Sequence, residues 1–145
     1  MQLKKYTDYA LRVLIYSGMK NEGQLAKISE ISDAFLISQN HLRKVVFELN
    51  KKGYLETVQG RNGGIRLAKL PEEMNVGEIV RQFEDDFMIL ECFDQSKNQC
   101  VISPACKLKN ALSEAVEAFL HVLDDYTIKD LISNEGQLKK LMGID

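Results

Sequence analysis

Apolar residues at helical spacing predict three helices in the first half of the chain. The segments TDYALRVLIYSGMK, with Thr7 as N-cap, and GQLAKISEISDAF predict the first two. After a break at Leu36, a third helix is predicted between Ser38 as N-cap and Gly53 as stop signal. The core faces of the three helices are Leu11, Leu14, Ile15 and Gly18, then Leu25, Ile28 and Ile31, then Leu42, Val45, Val46 and Leu49.

Two short alternating runs follow the third helix. YLETV and GIRLA predict strands, and QGRNG between them predicts a hairpin turn with Arg61 at its tip. Three helices followed by a hairpin is the order of a winged helix-turn-helix. We therefore predict a mainly α fold with a small β-hairpin wing, in which residues 1–70 form the DNA-binding domain.

The outward side of the third helix is polar. Amide and guanidinium groups near the start of a helix can reach base edges in a major groove, and lysines suit phosphates. The alternative for His41 is that it is a solvated helix residue that binds no ligand. The predicted DNA-binding residues are Ser38, Gln39, Asn40, His41, Arg43 and Lys44 on the helix, with Arg61 and Asn62 in the wing.

Charge separates the two halves of the chain. Residues 1–70 carry 12 Lys+Arg against 6 Asp+Glu, whereas residues 71–145 carry 7 against 15. A basic half favours a polyanionic partner, and it coincides with the predicted winged helix. The alternative is that the charge difference between the two halves arose by chance on a solvated surface.

The acidic half is predicted to contain a connecting helix in residues 71–91 and a long helix in residues 104–126. The long helix carries a heptad seam: Leu108, Leu112, Ala115, Phe119, Val122 and Tyr126. Such a seam packs most simply against its own copy, which predicts a homodimer reading an inverted repeat in double-stranded DNA. Packing on the winged helix of the same chain is the alternative. Residues 127–145 are expected to form a short helix capped by Thr127 and an irregular tail.

All cysteines of the chain, Cys92, Cys100 and Cys106, fall in one polar loop, residues 92–106. Their spacing lacks the C-x2-C pairs that are typical of zinc sites and dithiol redox sites. Three thiolates on a loop suit an iron–sulfur cluster, which needs several soft ligands and tolerates loose spacing. Three incidental thiols are the alternative, although exposed free cysteines are chemically vulnerable.

Other classes of protein receive little support from the sequence. No run of residues has the features of a signal peptide or a membrane span, so we expect a cytoplasmic protein without a membrane partner. There is no acid–base pair, nucleotide-binding loop or activated nucleophile, so we expect no catalytic residues and no enzyme activity.

Four segments together carry a family resemblance: YTDYALRVLIY, SQNHLRKVVFELNKKGYLE, QGRNGGIRLA, and the cysteine triplet that precedes the long helix. Over almost its whole length the sequence closely resembles the iron–sulfur winged-helix repressors, the family that includes IscR and NsrR. The resemblance implies a homodimeric transcription factor with one cluster per subunit.

Two features favour the NsrR-like branch of that family. The IscR-like branch completes a 2Fe–2S site with a His three residues after the last Cys, where this chain has Lys109, and its first cysteine gap is commonly five residues rather than seven. The NsrR-like branch implies a 4Fe–4S cluster, with 2Fe–2S as the alternative. Its ligands would be Cys92, Cys100, Cys106 and Asp8 of the partner subunit. His41, Asp85 and Asp94 are the rivals for the fourth position.

The resemblance also implies a function. The chain would be a repressor whose operator affinity falls when nitric oxide reacts with the cluster, which derepresses nitric oxide detoxification genes. The alternatives are an iron or cluster-status sensor of the same architecture, and a metal-free thiol-redox repressor.

Overall fold

The computed structural model describes residues 1–144. That part of the chain contains seven α-helices and one antiparallel pair of strands, and all but the last helix follow the order that the sequence predicts. The elements are α1 Lys5–Gly18, α2 Ile28–Phe35, α3 Gln39–Lys51, β1 Leu55–Val58, β2 Gly64–Leu67, α4 Val76–Phe83, α5 Lys107–Asp124, α6 Ile128–Leu131 and α7 Glu135–Met142.

Helices α1, α2 and α3 enclose the core of the winged helix. The predicted stripe of α3 is confirmed, because Leu42, Val45, Val46 and Leu49 are all buried. Ser38 caps α3 as predicted, its Oγ accepting a 3.2 Å hydrogen bond from the His41 backbone N–H.

Three details of the first helices differ from prediction. Of the predicted core face of α1 only Leu14 is fully buried, and the other buried apolar residues of that helix are Ala10, Val13 and Tyr16. Helix α1 begins at Lys5, so Thr7 lies inside its first turn and is not the N-cap. Thr7 is completely buried there and donates a hydrogen bond to Glu84. Leu25 lies before α2, because its neighbour Ala26 pairs with Ile65 of the wing and holds this segment extended.

The wing is fastened to the helical core at its second strand. β1 and β2 pair antiparallel with Leu55 opposite Leu67, and Ala26 exchanges two 2.8 Å backbone hydrogen bonds with Ile65. Gly64 makes this close approach feasible, since a Cβ at that position would lie 2.6 Å from the Ala26 carbonyl oxygen. The hairpin therefore has a fixed position relative to α3.

Helix α5 is the predicted long helix, but it starts later and ends earlier, so the predicted seam residue Tyr126 lies beyond its last residue, Asp124. Pro104 belongs to a separate 3-10 turn, Ser103–Ala105, and Cys106 is the N-cap of α5. None of the 18 residues of α5 is buried, and seam residues Leu108 and Val122 are 60% and 58% exposed. Among the described residues, no helix is long and apolar enough to cross a membrane.

The segment after α5 returns to the winged helix. Thr127 caps α6 as predicted, and Ile128 is completely buried in the core. The irregular tail that we expected after α6 is instead partly helical, since α7 occupies Glu135–Met142. The reason is packing: Met142 and Ile144 lie against the core, and Gly143, at φ 67°, ends the helix.

Candidate nucleic-acid interface and cysteine loop

The first turns of α3 present a polar, solvent-exposed face. Ser38, Gln39, Asn40, His41, Arg43 and Lys44 are all exposed, as are Arg61 and Asn62 at the tip of the wing. The Arg43 guanidinium donates hydrogen bonds to Asn40 Oδ1 at 2.9 Å and to Gln39 Oε1 at 3.3 Å. Arg43 therefore orders both amide side chains before any ligand is present, which would lower the entropy cost of binding a ligand through them.

Helix α1 supports α3 through two tyrosines. Tyr6 Oη donates a 2.9 Å hydrogen bond to the Lys44 carbonyl oxygen, and the Tyr9 and His41 rings lie 6.3 Å apart. Burial, and secondarily the charge of Glu48, raises the pKa of Tyr6, so its hydroxyl remains a donor at neutral pH. The direction of α3 is therefore tied to that of α1.

One exposed side chain on α3 was missed by our sequence reasoning. Phe47 lies outside the buried stripe and is 66% exposed on the same side as Arg43 and Lys44. A helical-wheel comparison with that stripe could have found it, because Phe47 is the one aromatic residue on the outward side of the predicted helix.

The cysteine loop connects α4 to α5 and is irregular except for short 3-10 turns. Cys92 is buried in the turn Glu91–Phe93, whereas Cys100 and Cys106 are half-buried, and all three are free thiols. Ser103 closes the loop by accepting a 2.6 Å hydrogen bond from Asn98 Nδ2 and donating one of 2.6 Å to the Cys100 carbonyl. These hydrogen bonds hold Cys100 close to the start of α5.

The donor set of this loop fits an iron–sulfur cluster chemically. In residues 1–144, no three His, Cys, Asp or Glu side chains meet closely enough to hold a single metal ion. A cluster has a different requirement, because each thiolate binds a different iron. The Lys109 backbone N–H donates to Cys106 Sγ at 3.4 Å, a contact of the kind that tunes metal-bound sulfur.

The three carboxylate candidates for the fourth ligand each have a partner within the chain. Asp8 accepts a 3.0 Å hydrogen bond from Arg12 Nε and forms an ion pair with Arg12 Nη2 at 2.7 Å, and Asp85 pairs with Lys4. Asp94 accepts a 2.6 Å hydrogen bond from Ser96 Oγ, which, with the Ser96 backbone N–H, holds the pKa of that carboxyl below its usual value. His41 lies on the exposed face of α3.

Comparison with known proteins identifies the family. The family model Rrf2, described as iron-dependent transcriptional regulator, matches residues 3–134 of this chain. The chain belongs to the Rrf2 family. This family consists of transcriptional regulators, so the expectation that the chain is not an enzyme is confirmed.

Curated relatives within the Rrf2 family match the full length. The HTH-type transcriptional regulator NsrR of Oceanobacillus iheyensis is 57% identical over 145 residues, which cover 100% of this chain and 99% of that protein. NsrR of Bacillus subtilis is 53% identical over 142 residues, covering 98% and 97% of the two chains. The resemblance stated from the sequence is thereby confirmed.

Solved structures of other transcriptional proteins show the same fold. CymR, the global cysteine regulator of B. subtilis, superimposes with a TM-score of 0.69 at 23% identity, covering 92% of this chain and 98% of CymR. T. potens IscR gives a TM-score of 0.71 at 19% identity, covering 93% and 88%. The predicted winged-helix fold with a small hairpin is confirmed.

Proposed function

We propose that this Rrf2-family chain is a homodimeric, DNA-binding transcriptional repressor, and that an iron–sulfur cluster reactive toward nitric oxide sets its operator affinity. Nitric oxide would then derepress the genes of its own detoxification. The observation that carries the proposal is the concentration of all three free thiols in one loop that begins beside helix α1. The two relatives named NsrR support the choice of signal.

The exposed apolar side of α5 supports dimerisation. No residue of α5 is buried, although Leu112, Val116 and Phe119 line an apolar cavity of about 730 Å³. Met1, Leu3, Phe87 and Met88 also line this cavity. A second copy of α5 would remove this apolar surface from water, which is the main driving force for association.

The DNA proposal assigns a pair of α3 helices to the two halves of an inverted repeat. Gln39, Asn40 and Arg43 would read base edges, and Lys44 would contact phosphate. His41 and Ser38, in the first turn of α3, would also contact the DNA. Arg61 and Asn62 of the wing would contact the DNA backbone or the minor groove. A regulator of this kind works where the chromosome is, so we place it in the cytoplasm.

The proposed cluster, 4Fe–4S in preference to 2Fe–2S, would be held by Cys92, Cys100, Cys106 and Asp8 of the partner subunit. When bound, it supplies iron atoms that nitric oxide can coordinate. Lys109 is unsuitable as a ligand, since a protonated amine has no lone pair to donate. Asp8 would have to exchange its contact with Arg12 for iron, and because it lies on α1, that exchange would act on the helix that supports α3.

Spectroscopy and iron counting on anaerobically purified protein test the proposal. We expect a coloured protein with bound iron and sulfide, and loss of both in Cys92→Ser, Cys100→Ser and Cys106→Ser. For the fourth ligand, Asp8→Asn should alter the spectrum and the response of operator affinity to nitric oxide. Asp85→Asn, Asp94→Asn and His41→Gln are the comparison variants. A colourless, iron-free wild-type protein that still represses would contradict the proposed cluster. An Asp8→Asn variant with an unchanged spectrum and an unchanged response to nitric oxide would exclude Asp8 as the fourth ligand.

A sensor of iron or cluster status is the second candidate. The description of the Rrf2 family as iron-dependent favours it. Titration of operator-bound protein with nitric oxide, in parallel with an iron chelator, separates the two. We expect a low concentration of nitric oxide to release the DNA, and the chelator to release it much more slowly. Rapid release by the chelator alone would favour iron sensing.

A further inference from the structure

Phe47 is an exposed aromatic residue on the helix proposed to read DNA. It lies on α3 away from the core stripe, and 66% of it is exposed to solvent. At 3.6 residues per turn, Phe47 lies one turn after Arg43 and Lys44, and about two turns after Asn40. It therefore shares a face with three residues already proposed to contact DNA.

The surroundings of Phe47 indicate what can cover it. Arg43, Lys44 and Lys51 are exposed and lie within four positions of Phe47 on either side. In residues 1–144 the Phe47 ring pairs with no other aromatic ring. A second copy of this face would bring like charges together, which opposes self-association there. A polyanion that also exposes a small apolar group could pair with these basic side chains and cover the Phe47 ring.

Duplex DNA offers such a group in its major groove. The 5-methyl of thymine is the apolar group that base pairs expose there, and phenylalanine is among the side chains that contact it. We propose that Phe47 reads a thymine of the operator through apolar contact with this methyl group. The inference rests on the proposed DNA-binding function and adds a specificity determinant to it.

Helix geometry gives the contact a position. Phe47 follows Asn40 by seven residues, a rise of roughly 10 Å along α3. If α3 lies along the groove, this corresponds to about three base-pair steps from the base that Asn40 reads. The operator should therefore prefer T·A at a position displaced from the Asn40 contact, symmetrically in both half-sites.

A cycle that combines a protein substitution with a base substitution tests the contact. The operator is first selected from random-sequence duplex DNA by the full-length, anaerobically purified protein. Each thymine of the selected operator is then replaced by uracil, which lacks only the 5-methyl group. Affinities are measured for the wild type, Phe47→Ala and the control Leu141→Ala, since Leu141 is 84% exposed on α7 and far along the chain from α3.

We expect one thymine per half-site whose replacement weakens wild-type binding about fourfold, the value of one buried methyl-sized group. In Phe47→Ala the same replacement should have almost no effect, and the variant should bind the unmodified operator about fivefold to tenfold more weakly than the wild type. Its salt dependence should be unchanged, because an apolar contact releases no counterions, whereas Lys44→Ala should have a shallower slope. Leu141→Ala should behave as wild type.

The outcomes that overturn the inference differ from those that overturn the proposed function. If selection yields no operator, DNA binding itself fails. If an operator is found but Phe47→Ala binds it as wild type does, or if every uracil penalty persists in full in that variant, Phe47 reads no thymine. A reduced salt slope in Phe47→Ala would also overturn it, since that would indicate a disturbed phosphate contact.

Discussion

Thr7 Oγ1 donates a 2.7 Å hydrogen bond to Glu84 Oε1, linking residues 77 positions apart. The same carboxylate oxygen accepts a 2.8 Å hydrogen bond from the Lys4 backbone N–H. Thr7 is completely buried in α1, and Glu84 lies immediately after α4, where the segment leading to the cysteines begins. Since α1 also supports α3 through Tyr6, this contact connects the segment leading to the cysteines with the helix that we propose reads DNA.

Replacing Thr7 by valine removes the hydroxyl with little change in shape. The lost hydrogen bond to a carboxylate should lower the free energy of unfolding by about 1–2 kcal/mol. Because the loop then loses one connection to α1, the response of operator affinity to nitric oxide should weaken while iron content stays at the wild-type level. Iron analysis, urea unfolding and operator titration measure the three quantities.

Thr57→Val is the matched control, since Thr57 is an exposed strand residue whose hydroxyl accepts a 2.7 Å hydrogen bond from Asn50 Nδ2 at the surface. It should leave iron content and the nitric oxide response unaltered. An intact nitric oxide response in destabilised Thr7→Val would show that this hydrogen bond serves the fold and carries no signal.

Gly77 determines how closely α4 approaches the end of α5. A Cβ at Gly77 would overlap the Asp124 carboxylate and lie 2.9 Å from the Asp124 backbone nitrogen. We expect Gly77→Ala to lower the free energy of unfolding by about 1–2 kcal/mol, since overpacking outweighs the better helix propensity of alanine. Gly136→Ala is the control, because a Cβ there meets nothing within 4 Å. Chemical denaturation in which both variants behave alike would refute the tight α4–α5 contact.

Leu36 joins α2 to α3 in a left-handed conformation, at φ 55°, with 92% of the residue exposed. A leucine is strained there and gains no burial, so Leu36→Gly should raise the free energy of unfolding by roughly 0.5–1 kcal/mol. The same substitution at exposed, helical Leu141 should have the opposite sign. Thermal and urea unfolding compare the two; destabilisation at both sites would mean that Leu36 has a packing role.

Asp124 and Arg81 form an ion pair that connects α5 to α4, with Arg81 Nη2 donating a 2.9 Å hydrogen bond to Asp124 Oδ2. Hydrogen bonding to Arg81 holds the pKa of Asp124 below its usual value. A carboxyl whose pKa is lower in the folded than in the unfolded protein stabilises the fold at pH values above the unfolded pKa of about 4. The fold loses this stabilisation as the pH falls through the folded-state pKa.

The stability difference between wild type and Asp124→Asn should therefore be present at about pH 7 and shrink toward about pH 3. The control is Asp125→Asn at the adjacent position, which forms no ion pair within residues 1–144. Urea unfolding across this pH range measures the difference. A pH-independent difference would show that the charge of Asp124 contributes nothing.

Periodicity predicted the winged helix well because its signals are local. The stripe of α3, the Ser38 cap and the Gly-rich hairpin each follow from neighbouring residues. Thr7 was misassigned for the opposite reason: a threonine near a helix start is a common cap, and only a carboxylate from a distant element turns it inward. Helix α7 was missed because its few apolar residues become significant only when packed against the core.

The candidate site shows the same division. Sequence order was sufficient to propose the polar residues of α3 and the three cysteines, but not to find the exposed position of Phe47, which depends on what the opposite side of the helix buries. The fourth ligand is beyond local reasoning altogether, since Asp8 would act on the loop of another subunit.

Titration of the operator complex with nitric oxide shows whether the cluster controls DNA binding. Anaerobically purified protein bound to operator DNA is titrated while visible absorbance and DNA anisotropy are recorded on the same sample. Bleaching of the iron–sulfur absorbance and release of DNA should proceed together, over the same range of nitric oxide. Loss of the absorbance with the DNA still bound at full affinity would contradict control of DNA binding by the cluster.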